Sequence, residues 1–165
     1  MVLVTVGTQT QPFPRLLQLV EAQMESGALA GPVLAQVGTT PFSSDRIETV
    51  SYLPPIELEQ RILECDLMIS HGGAGMLMTG VKMGKRVIAV PRLKRYGEHV
   101  NDHQVEIVRH LADEGYLIDC TNGDLGACLQ LATDFTPAPY HADENTPISA
   151  IEEFIDALPP RRKRS

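Results

Sequence analysis

Along most of this chain, short β-rich apolar runs stop at glycine, proline or a small polar cluster and give way to stretches of helical periodicity. That alternation constrains the fold more than any other feature. Val2 to Val6 ends at Gly7-Thr-Gln-Thr10, and Phe13 to Met24 then repeats apolar residues with helical spacing. Val33 to Val37 is closed by Gly38, and a third run, Ile47 to Leu53, ends at Pro54-Pro55. The helix expected from Ile56 to Glu64 opens with proline and with acids in its first turns, as helix starts prefer. Next come a strand over 66–70, a helix from Gly73 to Met83 and a strand from Arg86 to Val90. A loop over 92–98, a helix from Asn101 to Glu114 capped by Asn101, a strand from Tyr116 to Cys120 and a helix from Leu125 to Ala132 follow. Residues 134–147 read as a Pro-containing loop and 148–157 as a last amphipathic helix.

This order predicts a Rossmann-like three-layer α/β/α sandwich with a mainly parallel sheet covered on both faces. Right-handed crossovers bring Gly7-Thr8, the turn at 38–40, Pro54, His71 to Gly73 and the Arg92-to-Gln104 segment to one edge. Loops at the carboxyl ends of neighbouring strands share a crevice there.

Length and charge narrow the class. At 165 residues the chain reads as one domain, over 1–158, followed by a basic tail over 159–165. The tail, Arg161 to Arg164 after Pro159-Pro160, reads as solvated and mobile, with contact to an anionic membrane or an acidic partner as the alternative. A net charge of -7 and a pI near 5.2 argue against nucleic-acid binding, which needs a basic face. Cys65, Cys120 and Cys128 have neither paired metal spacing nor an even count, so reduced core thiols are expected. No stretch has the length and apolarity of a membrane span and no leader pattern opens the chain, so a cytoplasmic location is expected.

The stretch with most chemistry is Asp66-Leu-Met-Ile-Ser-His71-Gly-Gly-Ala-Gly-Met76. A buried strand breaking into glycines before a helix presents free N–H groups at the helix N-terminus, and such an end binds anions. Close helix–strand packing could account for one or two of Gly72, Gly73 and Gly75, but three beside a histidine favour an anion site. His71 would add a hydrogen bond or charge to a phosphate oxygen. The dinucleotide pattern G-x-G-x-x-G fails at Met78, and a P-loop fails because Arg86 follows Gly84-Lys85. His99 and His103 stand four apart among acids, yet no H-E-x-x-H order or third ligand is present, and no metal is expected. Polar residues from Glu98 to Gln104, at a helix start, suit either a solvated, capped helix end or a site for sugar hydroxyls.

Val4-Thr-Val-Gly-Thr8, Ser70-His-Gly-Gly-Ala-Gly75, Gly84-Lys-Arg-Val-Ile-Ala-Val-Pro-Arg92 and Gly97-Glu-His-Val-Asn-Asp-His-Gln104, in this order and spacing, resemble the glycosyltransferase family 28 C-terminal domain. Within it the chain is similar to free-standing donor-binding subunits of two-component transferases. These include the soluble subunit of the dolichol-linked N-acetylglucosaminyltransferase and bacterial exopolysaccharide or capsule subunits.

The resemblance implies the C-terminal half of a B-type glycosyltransferase, with a UDP-sugar donor and no further cofactor. Carried over by position, Gly7, Thr8, His71, Gly72, Gly73 and Ala74 would face the diphosphate. Tyr52, Leu53, Pro54 and Ile56 would bracket the uracil, and Asp102, His103 and Gln104 would hold sugar hydroxyls, with His99 beside them. His71 takes the catalytic role of offsetting charge on the departing UDP, helped by Arg92. The family pattern H-G-G-x-x-S-x-x-E places its ribose-binding glutamate where this chain has Thr79, and its serine where this chain has Met76. Thr79 offers one hydroxyl, and Glu98 is a candidate substitute.

The expected function is the donor half of an inverting transferase. A membrane-anchored partner would bring a lipid-linked acceptor in polysaccharide biosynthesis, and the chain would be recruited to the inner membrane face. A non-catalytic nucleotide-sugar sensor or scaffold is the alternative; a UDP-sugar hydrolase or epimerase is a third reading, disfavoured by the lack of a carboxylate–histidine pair.

Overall fold

The computed structural model describes residues 1–141. In chain order the elements are β1 (Val2–Thr5), α1 (Pro14–Glu25), β2 (Val33–Gln36), β3 (Glu48–Val50), α2 (Pro55–Glu64) and β4 (Leu67–Ser70). They continue as α3 (Ala74–Lys82), β5 (Val87–Ala89), a single 3-10 turn (Lys94–Tyr96), α4 (His103–Asp113), β6 (Ile118–Asp119) and α5 (Leu125–Asp134). The expected helix over 148–157 and the tail over 159–165 lie outside the described residues.

All the strand pairs are parallel, in the order β3-β2-β1-β4-β5-β6. Strand period two explains the layers, since successive side chains leave opposite faces of the sheet. Val2, Val4, Val33, Ala35, Ile69 and Ile88 enter a core shared with Leu16, Leu17 and Val20 of α1 and with Leu125, Cys128 and Ala132 of α5. Leu3, Leu34, Met68, Val87 and Ala89 enter the other, with Ile62 of α2, Leu77 and Met78 of α3 and Val108 and Leu111 of α4. The expected parallel sandwich is therefore the observed one. Strands buried on both faces also explain why the runs read as continuously apolar.

Most boundaries move inward. The expected strand from Ile47 to Leu53 pairs only over Glu48–Val50. Gly38, at φ +56, turns the chain away from β2, and the Leu53 N–H bonds a side chain instead of a ladder carbonyl. The α4 N-cap is Asp102, not Asn101, whose Oδ1 accepts from the His103 N–H at 3.2 Å. α5 runs two residues past Ala132, to Asp134.

The strand order fixes the site. From β1 the chain departs to α1 on one face, and from the adjacent β4 it departs to α3 on the other. Between those two departures the carboxyl edge opens, the switch point at which parallel sheets bind ligands.

Candidate functional site

β1 and β4 pair in register up to Thr5 and Ser70, and the ladder ends where the His71 N–H donates to the Thr5 carbonyl at 3.0 Å. The His71 ring is buried between two glycines: a Cβ at either Gly7 or Gly73 would overlap its Nε2. Gly7 also has φ +80, where a side chain is strained. Gly72 serves a different purpose. A Cβ there would lie 2.7 Å from the Gln104 Cβ, so its smallness lets α4 pack close. Its N–H is taken by Gln104 Oε1 at 3.1 Å, which corrects the expectation that Gly72 faces the diphosphate.

The free donors begin one residue later. α3 starts with Gly73 as N-cap, with no side chain capping it and no acid in its first turn. Its first internal bond runs from Leu77 N–H to the Gly73 carbonyl, so the N–H groups of Ala74, Gly75 and Met76 lack helix partners. Together with the positive end of the helix dipole they form an anion cradle. Gly75 has open space around it, so an approaching ligand meets backbone there.

These groups line a cavity of about 300 Å³. Gln36 and His71 are its polar floor, Pro55, Leu58 and Met76 its apolar side, and Tyr52, 61% exposed, stands at its mouth. A second cavity of about 300 Å³ shares Gly7, Thr8, Gln36 and Tyr52 and continues past Gly38 and Thr39 to Ser51. An anion cradle thus adjoins a surface that carries one aromatic ring, Tyr52.

Burial pushes the His71 imidazole down to about 4, with a further push from the Arg92 guanidinium, against the pull of the Thr5 carbonyl bond. In the free chain at neutral pH His71 is therefore an uncharged hydrogen-bonding group. An anion arriving beside it draws its pKa back up.

The loop after β5 departs from expectation. Arg92 is wholly buried: its guanidinium donates to the carbonyls of Val6 (2.7 Å), Gln11 (2.7 Å) and Glu98 (3.1 Å) and lies 4.8 Å from the Phe13 ring centre. It braces the β1–α1 turn from behind and does not line either cavity. Burial lowers its pKa to about 10, well above neutrality, so it stays charged. Glu98 is buried in a two-pronged pair with Arg15, both contacts 2.8 Å, and accepts from the Leu93 N–H at 2.9 Å. It is no substitute for a ribose-binding carboxylate.

Gln104 Oε1 accepts from both Gly72 and Arg92 N–H groups, and Asp102 Oδ1 accepts from the Lys94 N–H at 2.8 Å. His99 bonds locally with Asn101, and the exposed His103 lies 3.2 Å from Glu106. None of these four lines the cavities beside α3. The Thr79 hydroxyl donates to the Gly75 carbonyl at 2.9 Å. Leu53 is buried, and Ile56 is 74% exposed on the first turn of α2, outside both cavities, as is Pro54, the α2 N-cap. Among the described residues no group of three or more His, Cys, Asp or Glu is placed to hold a metal ion, and no helix is long and apolar enough to cross a membrane.

Two residues escaped the sequence reading. Gln36 interrupts an apolar run, and a polar side chain in a strand buried on both faces needs a partner; that signal was available. Arg15, on α1, carried none, because its partner lies 83 positions away.

A family model described as the glycosyltransferase family 28 C-terminal domain matches residues 1–158. The human UDP-N-acetylglucosamine transferase subunit ALG13 is 29% identical over 158 residues, covering 90% of this chain and 13% of that protein. The mouse protein of the same name is 31% identical over 127 residues, covering 72% of this chain and 10% of its own length. The chain thus spans only a small part of these relatives. Among solved structures, the glycotransferase of kitacinnamycin superposes with a TM-score of 0.55 at 20% identity, covering 81% of this chain and 34% of that one. The glycosyltransferase SnogD from Streptomyces nogalater gives 0.53 at 16% identity, covering 95% and 43%. At such identities the two structures establish the fold. Because the family model matches nearly the whole chain, the protein belongs to the glycosyltransferase family 28 C-terminal domain.

Proposed function

We propose that this chain binds the UDP-sugar donor of an inverting glycosyltransferase. In this reading a membrane-anchored partner supplies the lipid-linked acceptor, in the assembly of a polysaccharide or a related lipid-linked glycan. The observation that carries the reading is the uncapped N-terminus of α3, opening beside His71 into a cavity that extends to Tyr52. The similarity to proteins named as transferase subunits supports it.

In the reaction the acceptor hydroxyl oxygen attacks the anomeric carbon, the bond from that carbon to the β-phosphate oxygen breaks, and its electron pair stays on the departing UDP. The N–H groups of Ala74 and Gly75 and the His71 Nε2 meet the charge that develops there. A neutral imidazole has one N–H, so His71 acts here as the tautomer with its proton on Nε2, and it gains basicity as negative charge accumulates. The acceptor's proton must go to a base, and among the described residues those lining the two cavities include no carboxylate. That favours a base on the partner chain.

A nucleotide-sugar sensor is the second reading, favoured by Thr79, which leaves the ribose diol without a carboxylate. Transfer by the chain together with its partner separates the two.

Calorimetric titration of UDP and UDP-sugars into the chain tests donor binding. Gly73→Ala keeps an allowed backbone, φ -74, but drives a methyl group into His71 Nε2. It should weaken every UDP ligand by about tenfold or more, while the overpacking costs about 1–3 kcal/mol of stability. Unaltered affinity in the folded variant would remove the α3 cradle from the site.

A further inference from the structure

We infer that Gln36 selects the base of the bound nucleoside diphosphate, accepting bases with a carbonyl at the tip of the ring and rejecting those with an amino group there. This deepens the donor-binding reading and rests on it.

Gln36 ends β2, paired in register with Thr5 on one side and Val50 on the other. It is the polar member of a strand whose other side chains are apolar, and it is only 1% exposed. Burial of a carboxamide so deep calls for partners on both of its ends.

One end is settled. Oε1 accepts from the Leu53 N–H at 2.9 Å, and because that backbone group can only donate, the oxygen must face it. The amide nitrogen then faces the other way. None of the described residues accepts from Nε2, and it is not among the sealed-off polar atoms that lack a partner. Both cavities count Gln36 among their walls, so the N–H₂ is the donor that opens at their junction.

The ligand's geometry follows. With the diphosphate on the α3 N-terminus, the nucleoside extends toward Tyr52 and the shared floor. In a pyrimidine nucleotide the ring position farthest from the ribose bond is C4, so the C4 substituent reaches the floor first. Uracil and thymine carry an oxygen there, which accepts from Nε2. Cytosine carries an amino group, and two donors would then face each other with water excluded. A buried donor with nothing to pair is the arrangement by which binding sites discriminate most strongly.

Gln36 also holds Leu53, next to Tyr52, through the same side chain. A purely structural role would therefore alter all nucleotides alike, and the measurement must be a ratio. Titrations of UDP, TDP and CDP into the full chain at pH 8, wild type and variants, supply it. The wild type should bind UDP and TDP at least about tenfold more tightly than CDP. Gln36→Glu keeps an oxygen for the Leu53 N–H and puts an acceptor in place of the donor, so the UDP:CDP ratio should fall about tenfold or more and approach inversion. Gln36→Leu removes both and should bring the ratio toward one. Equal wild-type affinities for UDP and CDP would overturn the inference alone and need no variant. So would a ratio unchanged within about twofold in folded Gln36→Glu and Gln36→Leu. A wild type that binds no nucleoside diphosphate would overturn the donor-binding reading and this inference together.

Discussion

The turn after β4 and the loop after β5 leave neighbouring strands at the same edge of the sheet, and each carries a basic side chain, His71 or Arg92, close behind the strand. They face opposite ways. The β4–α3 turn leaves its helix uncapped, its N–H groups free and its imidazole neutral between two glycines. In the β5–α4 loop and the first turn of α4 three polar side chains turn inward, Arg92 onto three carbonyls, Glu98 onto Arg15 and Leu93, Gln104 onto two backbone N–H groups. The first presents unpartnered donors to a cavity; the second is a frame whose side chains are held by the chain itself, although the Arg92 Nε is left without an acceptor. A polar cluster near a crevice is therefore informative about binding only once its hydrogen bonds have been traced.

The largest effect should come from breaking the frame. Arg92→Met leaves the carbonyls of Val6, Gln11 and Glu98 without their charged donor, and each buried acceptor left unpaired costs about 1–3 kcal/mol. Urea unfolding should show a lower midpoint at unchanged slope. The comparison breaks if the variant is as stable as wild type yet binds UDP-sugars more than about tenfold more weakly, since Arg92 would then act as part of the site.

The next effect tests the site through protons. The folded-state pKa of His71, about 4, lies below the ordinary 6.5. Between these values the unfolded chain binds more protons than the folded one, so stability rises with pH. The His71 contribution is fully present above about pH 6.5 and lost as pH falls through about 4; a gap of this size corresponds to roughly 3 kcal/mol. Unfolding at pH 7 and pH 4 should show that the acid loss is smaller by about that amount in His71→Gln. Binding has its own sign. A UDP-sugar diphosphate has no ionisation of its own in this range, and its charge raises the His71 pKa. Complex formation should therefore take up a fraction of a proton, and affinity should strengthen as pH falls from 7 toward 5. Calorimetry in buffers of different ionisation enthalpy reads the uptake; none, with binding intact, would detach His71 from the anion.

The contrast between the two regions also explains how far the sequence could be read. Periodicity found the sandwich because strands buried on both faces and helices buried on one leave different patterns, and each depends on residues close in sequence. The glycines and histidine at 71–75 were legible for the same reason, since a strand, a tight turn and a helix start are local. Arg92 and Glu98 were misread because their side chains are claimed by Val6, Gln11 and Arg15, tens of residues away, and the bond from Gly72 to Gln104 also spans tens of residues. Gln36 lay between these cases: its oddness in an apolar strand is local, but the Leu53 N–H that explains it is not.

The smallest effect concerns the residue that joins the two regions. Gln104 Oε1 accepts from Gly72 N–H in the turn at 3.1 Å and from Arg92 N–H in the loop at 3.0 Å, which ties frame and site together at one atom. Gln104→Met keeps the volume and removes the acceptor, leaving two buried N–H groups unpaired, for a loss of about 2 kcal/mol. If Gln104 is frame, the shift of Gly72 loosens the α3 cradle slightly, and affinities for UDP and for UDP-sugars fall together by about threefold or less. If its amide reaches the sugar hydroxyls, affinity for UDP-sugars falls while that for UDP does not. A sugar-only loss would mean that Gln104 changes partners when the donor binds, and that the frame seen in the free chain is itself part of the binding event.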